Sequence, residues 1–219
     1  MNDPIVLGIE TSGILCSVAW WQSSQTLLEY NIEKKNAHAT LLANLVEEGL
    51  KKLGLSGASI SLVAVGSGPG SFTGLRIGMA YAKGFCLGQD IPLVPVTNFE
   101  VLADLARDHR GPVLTLIEAR RGYYYAGRFS TGASVPEEQY LTEGSTLMKD
   151  IDPESMLIVH EEIALGTLIN SVSNLISIEQ GNYSSAAICA LAYQKYKQSD
   201  LLNLDDIEPL YLQPFAGVL

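Results

Sequence analysis

Alternating and consecutive apolar positions predict three short strands in the first 34 residues. Apolar runs cover residues 5–9 and 16–21, and an alternating pattern follows over 26–34. Polar turns separate the three, as in an antiparallel meander. From Ala37 to Leu53 apolar side chains recur every three or four positions and Gly54 follows, so we predict a helix that ends there.

The rest of the chain alternates strand and helix patterns and then repeats the opening order. We predict strands at 60–65, 93–96, 113–117, 123–129, 139–142, 156–159 and 175–178, and helices at 73–88, 98–108, 144–149, 162–170 and 184–197. Two β-β-β-α-β-α-β-α units in succession are typical of actin- and Hsp70-like (ASKHA) proteins, in which each unit is RNase H-like. The predicted fold is therefore α/β, with subdomains at residues 1–104 and 105–219, the second one reduced.

Composition narrows the possible functions. The chain has 219 residues, of which 47% are hydrophobic, so it folds into one or two globular domains. Its net charge of −10 argues against direct RNA or DNA binding, which needs clustered Lys and Arg. Three scattered cysteines indicate reduced thiols, and neither a signal peptide nor a membrane span is expected. These features predict a cytoplasmic protein.

The stretch GSGPGSFTGLRIGMAYAKGFCLG, residues 66–88, is the most unusual part of the chain. Small residues recur four positions apart in two rows, one with Gly74, Gly78 and Ala82 and the other with Ala80, Gly84 and Gly88. Because an interior Gly costs a helix about 1 kcal/mol relative to Ala, these rows indicate close backbone packing. Apolar residues on nearly every side predict a helix covered by its own domain or by a partner.

The segment Gly68–Gly78, with Ala82-Lys83-Gly84 behind it, closely resembles the signature of the bacterial TsaB (YeaZ) family. Weaker similarities lie at Ile9–Ser12, Cys16–Ala19, His38 with Leu41-Leu42, Pro92–Thr97, Glu118–Gly122 and Pro209–Leu212. Departures from the family pattern are Glu10 and Glu118 in place of Asp, and Tyr123-Tyr124 in place of Glu-Val. The resemblance is dense in the first half of the chain and sparse in the second.

The resemblance implies a non-catalytic subunit for the formation of N6-threonylcarbamoyladenosine (t6A) next to the anticodon of tRNAs. In that family the subunit heterodimerises with a related catalytic subunit, TsaD, which binds the metal and transfers the threonylcarbamoyl group. A small ATPase, TsaE, joins the pair. The resemblance further implies a homodimer when the chain is alone, and only indirect contact with tRNA.

The resemblance also assigns the partner interface to the helices over 37–53 and 73–88. The expected interface residues are His38, Leu41, Leu42, Leu45, Gly74, Leu75, Arg76, Gly78, Met79, Ala82 and Lys83. On this interpretation, Gly78→Leu blocks pairing and leaves each monomer folded.

Two segments are candidates for nucleotide binding. Glu10, Thr11 and Ser12 could hold a metal-bound phosphate, as the first acidic turn does in actin-like kinases. We favour a strand end whose hydroxyls bond the backbone, because no second acidic or Lys partner is identifiable. The turn with Gly68, Gly70 and Ser71 could cradle an anion, but it lacks the Lys of a P-loop. We expect no cofactor and leave weak nucleotide binding open.

The histidines do not complete a catalytic or metal-binding motif. His38 is followed one turn later by Leu42, so a capping or interface role is favoured over metal binding. His160-Glu161 begins like HExxH, but Ala164 stands in place of the second His. Two alternatives stay open: an actin-fold ATP-dependent kinase or ATPase that uses Glu10, and a peptidase acting on the paralogous subunit.

Overall fold

The structure is a computed structural model that describes residues 3–34, 37–120, 122–151, 155–160, 174–178, 184–198 and 201–212. The strands are β1 Val6–Glu10, β2 Leu15–Gln22, β3 Gln25–Glu33, β4 Leu62–Gly68, β5 Leu93–Thr97, β6 Val113–Arg120, β7 Tyr123–Phe129, β8 Glu138–Glu143, β9 Met156–His160 and β10 Asn174–Ile178. The helices are α1 His38–Leu53, α2 Phe72–Gln89, α3 Asn98–Asp104, α4 Gly144–Asp150 and α5 Ser185–Lys197.

The strands form two five-stranded sheets with the same topology. The first has the order β3-β2-β1-β4-β5 and the second β8-β7-β6-β9-β10. In each, the first strand pairs antiparallel with the second and parallel with the fourth. Two meanders, each followed by parallel strands, make the duplicated unit that the apolar pattern predicts. The α/β fold with two RNase H-like copies is thereby confirmed.

Most element boundaries fall within two residues of the predicted ones. The exceptions have local causes. Strand β4 continues to Gly68 and β6 to Arg120, because their last residues still pair with β5 and β7. Helix α3 ends at Asp104 rather than 108, and the following residues form turns. The predicted helix over 162–170 lies outside the described residues.

The first unit has helices on both faces of its sheet. Leu7 and Ile9 of β1 are fully buried against a core that α1 and α2 complete with Leu42, Val46 and Met79. Since successive side chains of a strand point to opposite faces, Gly8 faces the other way. There a Cβ on Gly8 would lie 2.5 Å from the Ser185 carbonyl oxygen and the Cys189 Sγ. Helix α5 therefore lies directly on the strand backbone.

The division of the chain into compact units differs from a simple cut near residue 104. One unit comprises Met1–Asn98 and Tyr183–Pro209, and the other Phe99–Asn182 and Leu210–Leu219. The difference arises because α5 packs on the first sheet, where Gly8 and Gly66 leave room for it. By its position in the sequence alone, this helix falls in the predicted second subdomain, residues 105–219.

The second unit has its own smaller core. It contains Leu114, Leu116, Tyr124, Ala126, Leu147, Leu157 and Val159. Helix α4 contributes Leu147, which is 1% exposed. Across the part of the chain that the structure describes, no helix is both long and apolar enough to cross a lipid bilayer.

Candidate functional site

The Gly-rich turn before α2 is fixed to the turn that follows β1. The backbone N–H of Ser71 donates to the Ser12 carbonyl oxygen at 2.7 Å, and a Cβ on Gly70 would lie 2.5 Å from that oxygen. The buried Asn98 amide donates to Ser12 Oγ at 2.8 Å and to the Pro69 carbonyl oxygen at 2.7 Å. Glycine at position 70 is therefore required by the close approach of the two turns.

The start of α2 lies on the same turn. Ser71 caps the helix by accepting from the Gly74 N–H at 3.2 Å, and Thr11 Oγ1 donates to the Gly74 carbonyl oxygen at 2.8 Å. A Cβ at Gly74 would overlap the Thr11 carbonyl oxygen, and one at Gly78 would overlap Thr11 Oγ1. The row of Gly74, Gly78 and Ala82 therefore faces the chain's own first strand.

The opposite side of α2 is exposed. We call it the outer face of α2 and define it by Phe72, Arg76, Ala80, Gly84 and Leu87. Leu87 is 77% exposed and Phe72 42%, and the Arg76 guanidinium lies 3.9 Å from the centre of the Phe72 ring. A Cβ added at Gly84 would meet no atom within 4 Å. Ala80 and Gly84, which are small, thus lie between Leu87 and the Phe72–Arg76 pair along this face.

The structure divides the expected interface residues into two groups. Seven are buried in the first unit: Leu42, Leu45, Gly74, Leu75, Gly78, Met79 and Ala82. The other four, His38, Leu41, Arg76 and Lys83, are partly or fully exposed. The seven buried residues face their own sheet, because α1 and α2 turn that side toward it, and their role in an interface stays a prediction. Phe72 and Leu87, which are not among the expected interface residues, lie exposed on the side of α2 that carries the second small-residue row.

Glu10, the candidate phosphate-binding acid, is 1% exposed. Its Oε1 accepts from the Ser12 N–H, and its Oε2 is buried without a hydrogen-bond partner. Gly66 provides the space, since a Cβ there would overlap Oε2. Burial raises the pKa of Glu10 to about 7. The contacts of this turn favour the strand-end interpretation, since Thr11 Oγ1 donates to the Gly74 carbonyl oxygen and the Ser12 N–H donates to Glu10.

The remaining candidates for chemistry occupy separate places. His38 begins α1 and is half-buried, and its Nε2 is buried without a hydrogen-bond partner. Cys16, Cys86 and Cys189 are buried free thiols, and burial raises the pKa of Cys16 to about 11 and of Cys86 to about 12. Such thiols are poor nucleophiles. Within the described ranges, no three His, Cys, Asp or Glu side chains cluster as a metal site would require.

Comparison with known proteins shows which family this chain is similar to. Residues 30–161 match the model of the TsaD family, tRNA N6-adenosine threonylcarbamoyltransferase. The tRNA threonylcarbamoyladenosine biosynthesis protein TsaB of Escherichia coli K12 is 31% identical over 226 residues, which cover 95% of this chain and 94% of that protein. The chain belongs to the TsaB family. The TsaB protein of Haemophilus influenzae is 25% identical over 97% of this chain and 95% of its own length.

Solved structures agree with this TsaB assignment at the level of fold. YeaZ from Pseudomonas aeruginosa matches with a TM-score of 0.76 at 20% identity, covering 97% of this chain and all of that one. The ROK hexokinase of Thermus thermophilus matches with a TM-score of 0.51 at 12% identity, covering 89% and 99%. The predicted family and the actin-like fold are both confirmed.

Proposed function

We propose that this chain is a non-catalytic subunit in t6A formation that pairs with a TsaD-type catalytic subunit through α1 and the outer face of α2. Its curated relatives are named tRNA threonylcarbamoyladenosine biosynthesis proteins. Residues 30–161, which include α1 and α2, are also similar to the TsaD family itself. A partner of related fold would carry equivalent helices, so the two chains can pair helix against helix.

The observation that carries the proposal is the outer face of α2. A Leu side chain that is 77% exposed leaves apolar surface in water, and burying it on association is favourable by about 25 cal/mol per Å². The side chains of Ala80 and Gly84, on the same face as Leu87, are very small. A facing helix can therefore approach the backbone of α2 closely. Arg76 adds a cation that favours an acidic group on the partner.

The non-catalytic role rests on the sequence. Leu42 stands one turn after His38, where a metal-binding helix would carry its second His. The kinase alternative needs a carboxylate that reaches a metal-bound phosphate, whereas Glu10 is 1% exposed. Within this proposal, a TsaE-like ATPase joins the pair, the chain alone forms a homodimer through the same face, and tRNA is contacted indirectly.

The test compares two exposed leucines in a pairing assay. Light scattering coupled to size-exclusion chromatography measures the mass of this chain alone, then mixed with the TsaD-like subunit of the same genome. We expect a one-to-one complex, which Leu87→Glu weakens at least about tenfold because a charge would be buried unpaired. Leu27→Glu is the matched control, since Leu27 is 41% exposed on β3, away from α2.

Each result has a clear meaning. Wild-type pairing that is lost with Leu87→Glu and kept with Leu27→Glu supports the proposed face. Wild-type pairing that neither variant changes contradicts the face but keeps the pairing role. No complex with the wild-type chain contradicts the pairing role itself.

A further inference from the structure

The exposed side of α2 is evenly spaced about its middle. Ala80 lies at the centre of the outer face, with Arg76 four residues before it and Gly84 four residues after it. Leu87 lies seven residues after Ala80 and Thr73 seven residues before it, and both are exposed. At 1.5 Å per residue, each is about 10 Å from the centre. The end at Leu87 projects into solvent, since this side chain is 77% exposed.

The opposite end of the same surface carries a recess. A pocket of about 400 Å³ opens beside Thr73, between the first turns of α1 and α2. Three of its lining residues, Ile14, Ala39 and Ile77, are apolar. Among the lining residues that the structure describes, none is Asp, Glu, Lys or Arg. The pocket is therefore suited to an apolar side chain, and it lies within the proposed pairing surface.

Charged groups lie along one side of the outer face. Lys83 Nζ donates to the Asp205 carbonyl oxygen at 3.4 Å, so the chain near Asp205 runs beside α2. The exposed carboxylates there belong to Asp205, Asp206 and Glu208, which we call the acidic segment. Arg76 is seven residues, or about two turns, before Lys83 and thus lies on the same side of the helix. Cation and acidic segment are therefore on one side but at opposite ends.

We propose that two copies of this chain pair through this surface with their α2 helices antiparallel, so that Leu87 of each copy enters the pocket of the other. The proposal rests on the pairing face proposed above and adds its register and its contacts. A two-fold axis through Ala80, perpendicular to the helix, brings Leu87 of one copy to Thr73 of the other, because both are equally far from the axis. It also places Arg76 opposite the partner's acidic segment, so the charges are complementary.

A parallel arrangement does not satisfy the same residues. A two-fold axis along the helix would bring Arg76 against Arg76 and Leu87 against Leu87. Like charges would then meet, and both pockets would lack their side chain. The small residues Ala80 and Gly84 allow close approach in either arrangement, so charge and shape select the antiparallel pair.

The test is disulfide cross-linking of the chain alone, with oxidised glutathione as the oxidant. The three native cysteines are buried, so an introduced exposed cysteine supplies the reactive thiol. We expect the double variant Thr73→Cys with Leu87→Cys to form a covalent dimer, since these positions of two copies come within reach of a disulfide. Within one chain they are about 20 Å apart along α2, too far for an internal bond. Each single variant should stay uncross-linked on a denaturing gel, because its two equivalent cysteines are as far apart in the antiparallel pair.

Charge reversal is a second measurement that leaves Leu87 in place. Arg76→Glu and Asp205→Lys should each weaken the homodimer by about fivefold, and the two changes together should restore it. Glu33→Lys, at an exposed site of β3, is the matched control and should leave the affinity unchanged. Sedimentation velocity measures the dissociation constant of each variant.

The outcomes separate this proposal from the pairing with a TsaD-type subunit. Cross-linking by Leu87→Cys alone would show parallel pairing and overturn the proposal, as would a double variant that cross-links no faster than the single ones. A chain that stays monomeric at high concentration, or a double charge reversal that does not restore the affinity, overturns it as well. Because only this chain is used, none of these results depends on whether the complex with the TsaD-like subunit forms.

Discussion

The two small-residue rows of α2 give the same substitution opposite effects. Gly78→Ala and Gly84→Ala each add one methyl group inside the same helix. At Gly78 the new Cβ would overlap Thr11 Oγ1, which already donates to the Gly74 carbonyl oxygen at 2.8 Å. At Gly84 the new Cβ would meet no atom within 4 Å. Gly84→Ala is therefore a matched control, because it makes the same chemical change in the same helix of the same unit.

The expected magnitudes combine helix propensity with packing. Ala is preferred over Gly inside a helix by about 1 kcal/mol, so Gly84→Ala should raise the free energy of unfolding by about that amount. Gly78→Ala gains the same helix propensity. Against this gain, overpacking costs about 1 to 3 kcal/mol and loss of the Thr11 hydrogen bond costs about 1 kcal/mol. We expect a net loss of about 1 to 3 kcal/mol for Gly78→Ala.

Urea unfolding followed by tryptophan fluorescence measures both variants. The chain has two tryptophans, Trp20 and Trp21, and both are buried in β2, so the signal reports on the first unit. Equal stabilisation by both substitutions would refute the packing of α2 against Thr11. It would also restore the alternative that Gly78 serves a partner. The structure predicts instead that Gly78→Leu disrupts folding rather than pairing alone.

Two further predictions concern buried or half-buried carboxyl groups. Burial favours protonated Glu10 in the folded state, so its stabilising contribution is complete below its ordinary pKa of 4.5 and is lost as the pH rises through about 7. Between these limits the wild type should lose about 3 kcal/mol more stability than Glu10→Gln, and parallel stability curves from urea unfolding against pH would contradict this. Glu29 Oε1 accepts from the Ala186 N–H at the start of α5 at 3.0 Å. Glu29→Ala should lower the free energy of unfolding by about 1 kcal/mol, whereas Glu33→Ala, at an exposed site of the same strand, should not, as measured by urea unfolding.

Local patterns are sufficient to predict the elements of this fold. The stripe that includes Leu42, Leu45 and Val46 predicts α1, since a helix that packs on a sheet has one apolar face. The structure buries these three side chains in the core. Repetition of the strand and helix order predicts the duplicated topology. Loop composition predicts the tight turn before α2, where Gly70 approaches Ser12.

Properties that depend on contacts between distant segments cannot be predicted from local sequence patterns. Two small-residue rows look alike in the sequence, and only the position of Thr11 shows which row faces the sheet. In the sequence, Glu10 looks like an exposed acid at the end of a strand, and its burial depends on the missing side chain at Gly66, where a Cβ would overlap Oε2.

The packing of α5 on the first sheet has a consequence for the order of events during synthesis. The five strands of that sheet are complete once the ribosome has passed Thr97, but the helix that covers Gly8 and Gly66 ends only at Lys197. Throughout translation of Phe99–Asn182, most of the second unit, one face of the first sheet lacks its covering helix. The first unit therefore cannot complete its packing until one of the last helices has been synthesised. During that interval the uncovered face of its sheet is exposed to chaperones and to misassociation.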